Sequence, residues 1–546
     1  MSVLGKKWVV LSSAVDTPAL QKILETRAHR GLNALSELHD PFLFRDMERA
    51  VSRIQKAITE GQPILIFGDY DVDGISGTAI LVQALRHLNA KVSYQLPDRV
   101  HDGYGLSEKF IDQFASDGIK LLITVDCGIS CATQIEKAKK LGLDVIITDH
   151  HAIPEIFPKQ AYAILHPKEK DSGYPFAELT GSAVAFKLAQ ALLNDEEIST
   201  GLIDLAALGV VADLGPLIGE NRLIVKRGLA SLAATKWPGL RQIIKSAGIS
   251  PEKEIDTYDI GFKLAPRINA AGRIGHAHSA LSLLLEEDEA TILRLAGELE
   301  ELNGARQDMT YVALSEAEKI FSEKELPYIL IAENTNWHVG VLGLIAGRLV
   351  ERFARPAIIL QDLGDTLVAS ARSPEVFHIT EALAEFSHHL ITFGGHAQAA
   401  GFNIKKENYP EFKKAISEFA AEKLANTDLR PALEIDCDIM TEELSFGFLE
   451  ELDNLSPFGV GNRRPVFMLK NVTPLFIDQV GPKGEHLRFT IPSTGNGLRA
   501  IGFHLGKFLP LLRTQKNIDL AFSFERNIWN GRAYLQLRAL DFRPAG

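Results

Sequence analysis

The stretch Ile64-Leu65-Ile66-Phe67-Gly68-Asp69-Tyr70-Asp71-Val72-Asp73-Gly74 constrains this chain more than any other. A short apolar run stops abruptly and aspartates follow at alternating positions. The run reads as a buried strand, with the carboxylates on the turn just past its end. Anions this close repel one another and resist desolvation. They call for a positive partner, and a divalent cation is the usual one. A solvated acidic turn is the plainer reading of an isolated Asp-x-Asp, so the rest of the chain must decide.

With 546 residues the chain has room for about three or four domains. Its 46% hydrophobic and 23% charged content is an ordinary globular balance. Of its 3 cysteines, Cys127 and Cys131 are close, but no second pair completes a zinc site and no disulfide framework suggests itself. No signal-peptide core opens the chain, and no apolar run reaches the ~20 residues of a membrane span. A cytoplasmic protein with no membrane association is the expectation. The net charge of −12 speaks against a polyanionic partner only globally. From Pro457 onward there are 13 Lys+Arg and 5 Asp+Glu, a balance of +8, against 45 and 65 before it, a balance of −20. A local basic surface can oppose the global sign.

Residues 1–60 carry apolar positions at helical spacing and are expected to be a helical lead-in. From residue 61 to 279 strand-like and helical runs alternate, which predicts a mostly parallel sheet covered on both faces. Ligands gather beyond the carboxyl ends of such strands. There stand Asp69, Asp71 and Asp73, then Asp126 after Leu121–Val125, then Asp149-His150-His151 after Val145–Thr148. Asp213 follows a further apolar run. Acidic elements recurring at one sheet edge favour a metal centre over isolated helix caps. Carboxylates with one or two imidazoles suit Mn²⁺ or Mg²⁺ better than Zn²⁺. The number of acids suggests two ions, and two ions about 3.5–4 Å apart serve phosphoester or phosphoanhydride hydrolysis.

The Asp149-His150-His151 triplet, with Asp69-Tyr70-Asp71-Val72-Asp73-Gly74 before it, resembles the DHH phosphoesterase superfamily. Ala265-Pro266-Arg267-Ile268-Asn269-Ala270-Ala271-Gly272-Arg273 and Gly394-Gly395-His396 narrow the resemblance to bacterial single-strand-specific exonucleases, over nearly the whole chain from about residue 60. The resemblance implies Asp71, Asp126 and Asp69 around one ion, and Asp73, Asp126, His150 and Asp213 around the second, with Asp126 as the bridge. His151 would stand near the scissile phosphate, and Asp149 would orient an imidazole. Many smaller members carry a histidine where this chain has Phe67, and Asp69 is its expected substitute.

Arg99 and Tyr104 sit in a glycine-containing turn and can equally meet a phosphate and a base or lie on a solvated loop; the resemblance favours Arg99 as a DNA contact. Ala265–Arg273 reads as a loop in which Arg267, Asn269 and Arg273 contact DNA, since a guanidinium grips phosphate with two parallel hydrogen bonds. Residues 280–326 read as a connecting helix, with a break near Gly304 allowed. A second α/β pattern over 327–430 supplies His338, Ser370, Arg372 and the loop Gly394-Gly395-His396, whose exposed N–H groups suit a phosphate. It resembles the DHHA1 domain, which implies that Ser370 and Arg372 grip a terminal phosphate. Residues 431–546 read as short strands of a small β-barrel, an OB-fold, with Arg488, Phe489 and Trp529 as possible single-strand contacts.

Together these readings predict an α/β enzyme that hydrolyses single-stranded DNA to mononucleotides from the 5′ end, with single-strand preference and polarity coming from the resemblance. Its expected associates are a helicase and a single-strand-binding protein, its expected state a monomer, and its expected setting DNA repair and recombination. A DHH phosphodiesterase for cyclic dinucleotides or short oligoribonucleotides is the rival enzyme. A non-catalytic single-strand-binding scaffold is the rival of another class.

Overall fold

The computed structural model describes residues 2–12, 17–28, 35–99, 102–103, 105–193, 201–322, 326–493, 497–529 and 531–545. The chain folds as two compact units, one of Met1–Ala34 with Arg430–Gly546, the other Leu35–Leu429. No helix among the described residues is long and apolar enough to cross a membrane.

The first strand, β1 (Lys7–Ser12), belongs to the smaller unit, taken up below. The larger unit opens on a parallel sheet of β2 (Ile64–Gly68), β3 (Val92–Gln95), β4 (Leu121–Val125), β5 (Asp144–Thr148) and β6 (Ala163–Leu165), in the order β3-β2-β4-β5-β6. β2 and β4 are buried at every residue because each face meets its own core. Ile64 and Ile66 pack with the helices Met47–Thr59, Val72–His87 and Gly181–Leu193, whereas Leu65 and Phe67 pack with Glu108–Ser116 and Ala132–Lys140. Two buried faces give an unbroken apolar run in place of alternation. Parallel strands also end on the same edge, which is why the acidic turns meet.

The helix Ala277–Leu285 ends before a single 34-residue helix, Glu289–Ser322, which runs through Gly304 without a break. An interior glycine costs a helix only about 1 kcal/mol, and the buried Ile292, Leu295, Leu299, Ala313, Ala317 and Phe321 anchor both sides of it. A second sheet follows: β7 (Leu330–Asn334), β8 (Ala357–Asp362), β9 (Thr366–Arg372), β10 (Leu390–His396) and β11 (Ala399–Lys405), ordered β10-β11-β9-β8-β7. There β7 and β8 pair in parallel, and the other neighbours are antiparallel.

In the smaller unit β1 joins β12 (Ala432–Asp438), β13 (Val466–Val472), β14 (Leu475–Val480), β15 (His486–Ile491), β16 (Leu498–Gly502), β17 (Ile518–Trp529) and β18 (Arg532–Pro544), ordered β1-β12-β13-β17-β18-β16-β15-β14. The expectation of one helical lead-in over 1–60 therefore fails for its first half. Trp8-Val9-Val10-Leu11 lies in a strand parallel to β12, and Ile23 of the Ala19–Ala28 helix enters the same core. Trp8 is fixed by its indole N–H, which donates to Asp541 Oδ2 at 2.9 Å. Phe489 is fully buried in this core, so it stacks no base, while Trp529 is 67% exposed at the tip of the β17–β18 hairpin.

Candidate metal centre and arginine face

β2 ends at Gly68, and the chain turns at once into the helix Val72–His87. Asp71 caps that helix, its Oδ1 accepting from Asp73 N at 2.9 Å and Gly74 N at 3.2 Å. β4 delivers Asp126 with φ of 60°, a left-handed backbone that aspartate tolerates better than most residues. β5 delivers Asp149, His150 and His151. Asp213 arrives differently from the sequence expectation: it follows the helix Ile203–Ala212, not a strand, since the apolar run of that helix is buried all round and periodicity cannot separate the two cases. Glycines let the neighbours close in. A Cβ on Gly181 would lie 2.5 Å from Asp126 Cβ, and one on Gly209 would lie 2.5 Å from Asp73 Oδ1.

Three groups of ligand atoms result, each within 4.8 Å: Asp69, Asp71 and Asp126; Asp73, His150 and Asp213; Asp126, His150 and His151. His150 Nε2 lies 3.0 Å from Asp126 Oδ1, 3.6 Å from Asp213 Oδ2 and 3.8 Å from Asp73 Oδ2. Burial, followed by repulsion from Asp71, pushes Asp69 up to about 8 and Asp73 to about 6. Asp126 and Asp213 are raised well above the carboxylate range, by burial and then by Asp73. Burial and the neighbouring His151 hold His150 down to about 3, leaving a neutral imidazole with a lone pair to offer. Asp73 nonetheless accepts from a ring of donors: Thr180 Oγ1, Gly181 N, and both N and Oγ of Ser182. Asp69 Oδ1 is buried and accepts no hydrogen bond among the described residues. Crowded carboxylates, a neutral imidazole and an orphaned acceptor are the donor set a divalent cation requires.

Asp149 faces the other way. Its oxygens accept from Ile129 N at 2.9 Å, His150 N at 2.7 Å and His151 N at 3.1 Å, and its Oδ1 lies 2.8 Å from His151 Nδ1. His396, at the end of β10, lays its ring beside His151 with centroids 6.0 Å apart and planes at 17°. Gly394 and Gly395 lie within β10, paired with Gly401 and Ala400, so the expected phosphate-binding loop is the arm of a hairpin. β10 is the edge strand of its sheet, so this pairing covers one edge of the Gly394-Gly395 arm.

The run Ala265–Arg273 is the helix Ala265–Ile274, not a loop. Leu264, Ile268 and Ala271 bury one face, and Pro266, which offers no N–H, follows the widened turn Ile260–Leu264. This helix lies against the metal turn: a Cβ on Gly272 would approach Tyr70 O to 2.4 Å, and Asn269 Oδ1 accepts from Val72 N at 3.1 Å. Asn269 thus holds the acidic turn. Arg267 pairs with Glu300 and donates Nη1 to Lys263 O at 2.7 Å. Arg273 donates Nη1 to Gly340 O at 3.2 Å, and burial followed by Arg99, Arg306 and Arg372 lowers it to about 9. Arg99 stacks over the Tyr70 ring at 4.2 Å. Arg372 Nη1 donates to Ala371 O at 2.8 Å and to Ser370 Oγ at 3.3 Å. His338 caps the helix Val339–Phe353, its Nδ1 accepting from Gly340 N at 3.1 Å. Tyr104 lies outside the described residues.

Lys168 and Arg306 escaped the sequence reading. Lys168 Nζ donates to His150 O at 2.8 Å, and His166 Nε2 lies 2.9 Å from His151 O. Both follow β6, so the strand-end rule that found the aspartates reaches them too. Arg306 donates to Asn303 Oδ1 at 2.9 Å from the long helix.

Family models match residues 63–210 as the DHH family N-terminal domain, 326–422 as the DHHA1 domain and 435–541 as the RecJ OB domain. The single-stranded-DNA-specific exonuclease RecJ of Bacillus subtilis (strain 168) is 38% identical over 509 residues, covering 93% of this chain and 64% of that protein. The protein of the same name from Escherichia coli (strain K12) is 32% identical over 551 residues, covering 95% of each. The crystal structure of Thermus thermophilus RecJ with Mn²⁺ superposes with a TM-score of 0.85 at 29% identity, over 99% of this chain and 80% of that one. Its Mg²⁺ complex gives a TM-score of 0.77 at 28% identity, over 99% of this chain and 79% of that one. The chain spans about two thirds of the Bacillus relative's length and nearly all of the Escherichia relative's, and it belongs to the RecJ family of single-stranded-DNA-specific exonucleases.

Proposed function

We propose that this chain removes mononucleotides from the 5′ end of single-stranded DNA, with the carboxylate–imidazole edge of the first sheet as its metal centre. The observation that carries the reading is the pairing of that edge with Arg99, Arg273 and Arg372 inside one compact unit. Among the described residues Arg273 and Arg372 direct donors to backbone carbonyls and a hydroxyl, not to carboxylates, which leaves their charge available to a phosphate.

Mn²⁺ or Mg²⁺ held by Asp69, Asp71, Asp73, Asp126, His150 and Asp213 would supply an activated water and neutralise charge on the phosphate. Asp126 belongs to two of the ligand groups, which suits it to bridge. His151 would otherwise be depressed by burial, but Asp149 lifts it to about 9, so it carries a proton at neutral pH. A protonated imidazole can donate to a phosphate oxygen or to the departing 3′ oxygen. Arg372, Ser370, Arg273 and Arg99 would hold the 5′-terminal phosphate, and the fixed distance from that pocket to the metals sets both polarity and product length. Arg267, Asn269, His338 and the Gly394-Gly395 arm act from behind this line, as supports of the turn, the helices and His396.

The smaller unit, with its basic stretch from Pro457 onward and the exposed Trp529, would add affinity for single strand. A reaction that consumes free 5′ single strand places a helicase and a single-strand-binding protein before it, in repair and recombination in the cytoplasm. The test offers the Mn²⁺-loaded enzyme linear and circular single strands of one sequence. Linear strand is degraded and the circle survives; loss of the circle would contradict a terminal-phosphate pocket.

A further inference from the structure

Tyr258 and Phe262 form a stacked aromatic pair, centroids 4.7 Å apart and planes at 24°, and they are 55% and 64% exposed. Both precede the helix Ala265–Ile274 on the same helical run: Phe262 lies in the turn Ile260–Leu264, which is wound as a π-helix. Such widened turns recur at functional sites. The turn is held open at a cost that the core offsets elsewhere, because Ile260 and Leu264 are fully buried while Phe262 between them is pushed outward. Asp259 pins the segment, pairing with Lys253 Nζ at 2.6 Å and Lys263 Nζ at 2.8 Å.

The pair also continues the arginine face. Arg273 feels Arg99, Arg372 and Arg306, and Arg306 in turn feels Arg267. Guanidiniums therefore extend from the metal turn back along the helix, with Arg306 contributed by the long helix Glu289–Ser322. Arg267, paired with Glu300 and donating Nη1 to Lys263 O, ties this helix to the segment where the aromatic pair begins. Positive charges that track a backbone beside an exposed aromatic surface are the elements of a single-strand groove.

We propose that Tyr258 and Phe262 are a base-stacking platform for single-stranded DNA downstream of the scissile phosphate, reached along Arg306. The inference rests on the exonuclease reading above. From Phe262 to Arg273 the helical run covers roughly 17 Å at ~1.5 Å per residue. At ~3.4 Å per stacked nucleotide, and about twice that when extended, the platform meets a base about three to five nucleotides from the 5′ end. Stacking uses the face that every base has, so the platform selects single strands without reading sequence.

The test uses the full chain loaded with Mn²⁺ and a series of 5′-phosphorylated single strands, each with one abasic site at a successive position from the 5′ end. For the unmodified chain, kcat/KM falls about tenfold when the missing base is the one that stacks, about three to five nucleotides in. In the double variant Y258A/F262A the intact strand is degraded about tenfold less efficiently and the position-dependent penalty disappears. Tyr258→Phe keeps the penalty, because a ring remains. An unmodified chain with no such penalty, or a double variant that retains it, overturns the platform. Failure of the unmodified chain to degrade the intact strand would instead overturn the exonuclease reading, so the two failures are distinguishable.

Discussion

His151 Nδ1 stands 2.8 Å from Asp149 Oδ1, and the same oxygen accepts the backbone N–H of both His150 and His151. One buried carboxylate therefore sets the path of the turn and the charge of its outer imidazole. Burial would raise Asp149, but the hydrogen bond and charge of His151 bring it far below the usual carboxylate range. Asp149→Asn keeps the size and loses the charge. Activity on single-stranded DNA should fall about 10–100-fold, as when a supporting partner of a metal site is removed. An unchanged kcat would show that His151 needs no carboxylate behind it.

Asp126 occupies a left-handed backbone, which asparagine also adopts readily. Asp126→Asn thus removes a charge with little change in backbone strain. Cleavage should drop by at least about 10³-fold, the scale on which one transition-state stabiliser counts. Mn²⁺ binding followed by calorimetry should weaken, and single-strand binding in chelator should change little, because the arginines and the smaller unit are untouched.

The terminal-phosphate pocket predicts a change in end preference. Arg372→Ala should raise KM for a 5′-phosphorylated strand about 10–100-fold, the loss expected on removing one charge-assisted contact. On the matching 5′-hydroxyl strand the effect should be much smaller. Equal losses on both strands would move Arg372 out of the pocket.

A proton-linked prediction concerns the platform segment. Burial raises Asp259, but hydrogen bonds from Lys253 and then Lys263 dominate and its folded pKa lies below the ordinary value of 3.8. A depressed acid contributes stability that is present above the unfolded pKa and lost as pH falls through the folded one. Asp259→Asn should therefore cost about 1 kcal/mol at pH 7, discounted because both lysines are partly exposed. As the pH falls through that lowered folded pKa, the variant and the unmodified chain should converge. Denaturant titrations at neutral and at acid pH measure the difference.

Much of this site was legible because strand ends are a simple rule. The buried runs of β2, β4 and β5 end in Asp69, Asp126 and Asp149, and a parallel sheet must bring those ends together. The rule fails where its premise fails. Asp213 ends a helix whose all-round burial hides its period. Ala265–Ile274 reads as a loop because Pro, Asn and Gly weigh heavily in short windows, while Leu264, Ile268 and Ala271 carry the weaker helical signal. β1 pairs with β12, more than 400 residues away in sequence, and no local pattern announces that partner. Lys168 and Arg306 were missed because long cations reach a site from positions that look solvated.

The acidic edge is proposed to cut single-stranded DNA one nucleotide at a time from the 5′ end, using divalent cations. The direct measurement follows strands labelled at either the 5′ or the 3′ end, with Mn²⁺ present or removed by chelator. Immediate release of the 5′ label as a mononucleotide, gradual shortening of 3′-labelled strands, and no reaction in chelator are expected. Early release of the 3′ label, or cleavage that persists without the metal, would contradict it.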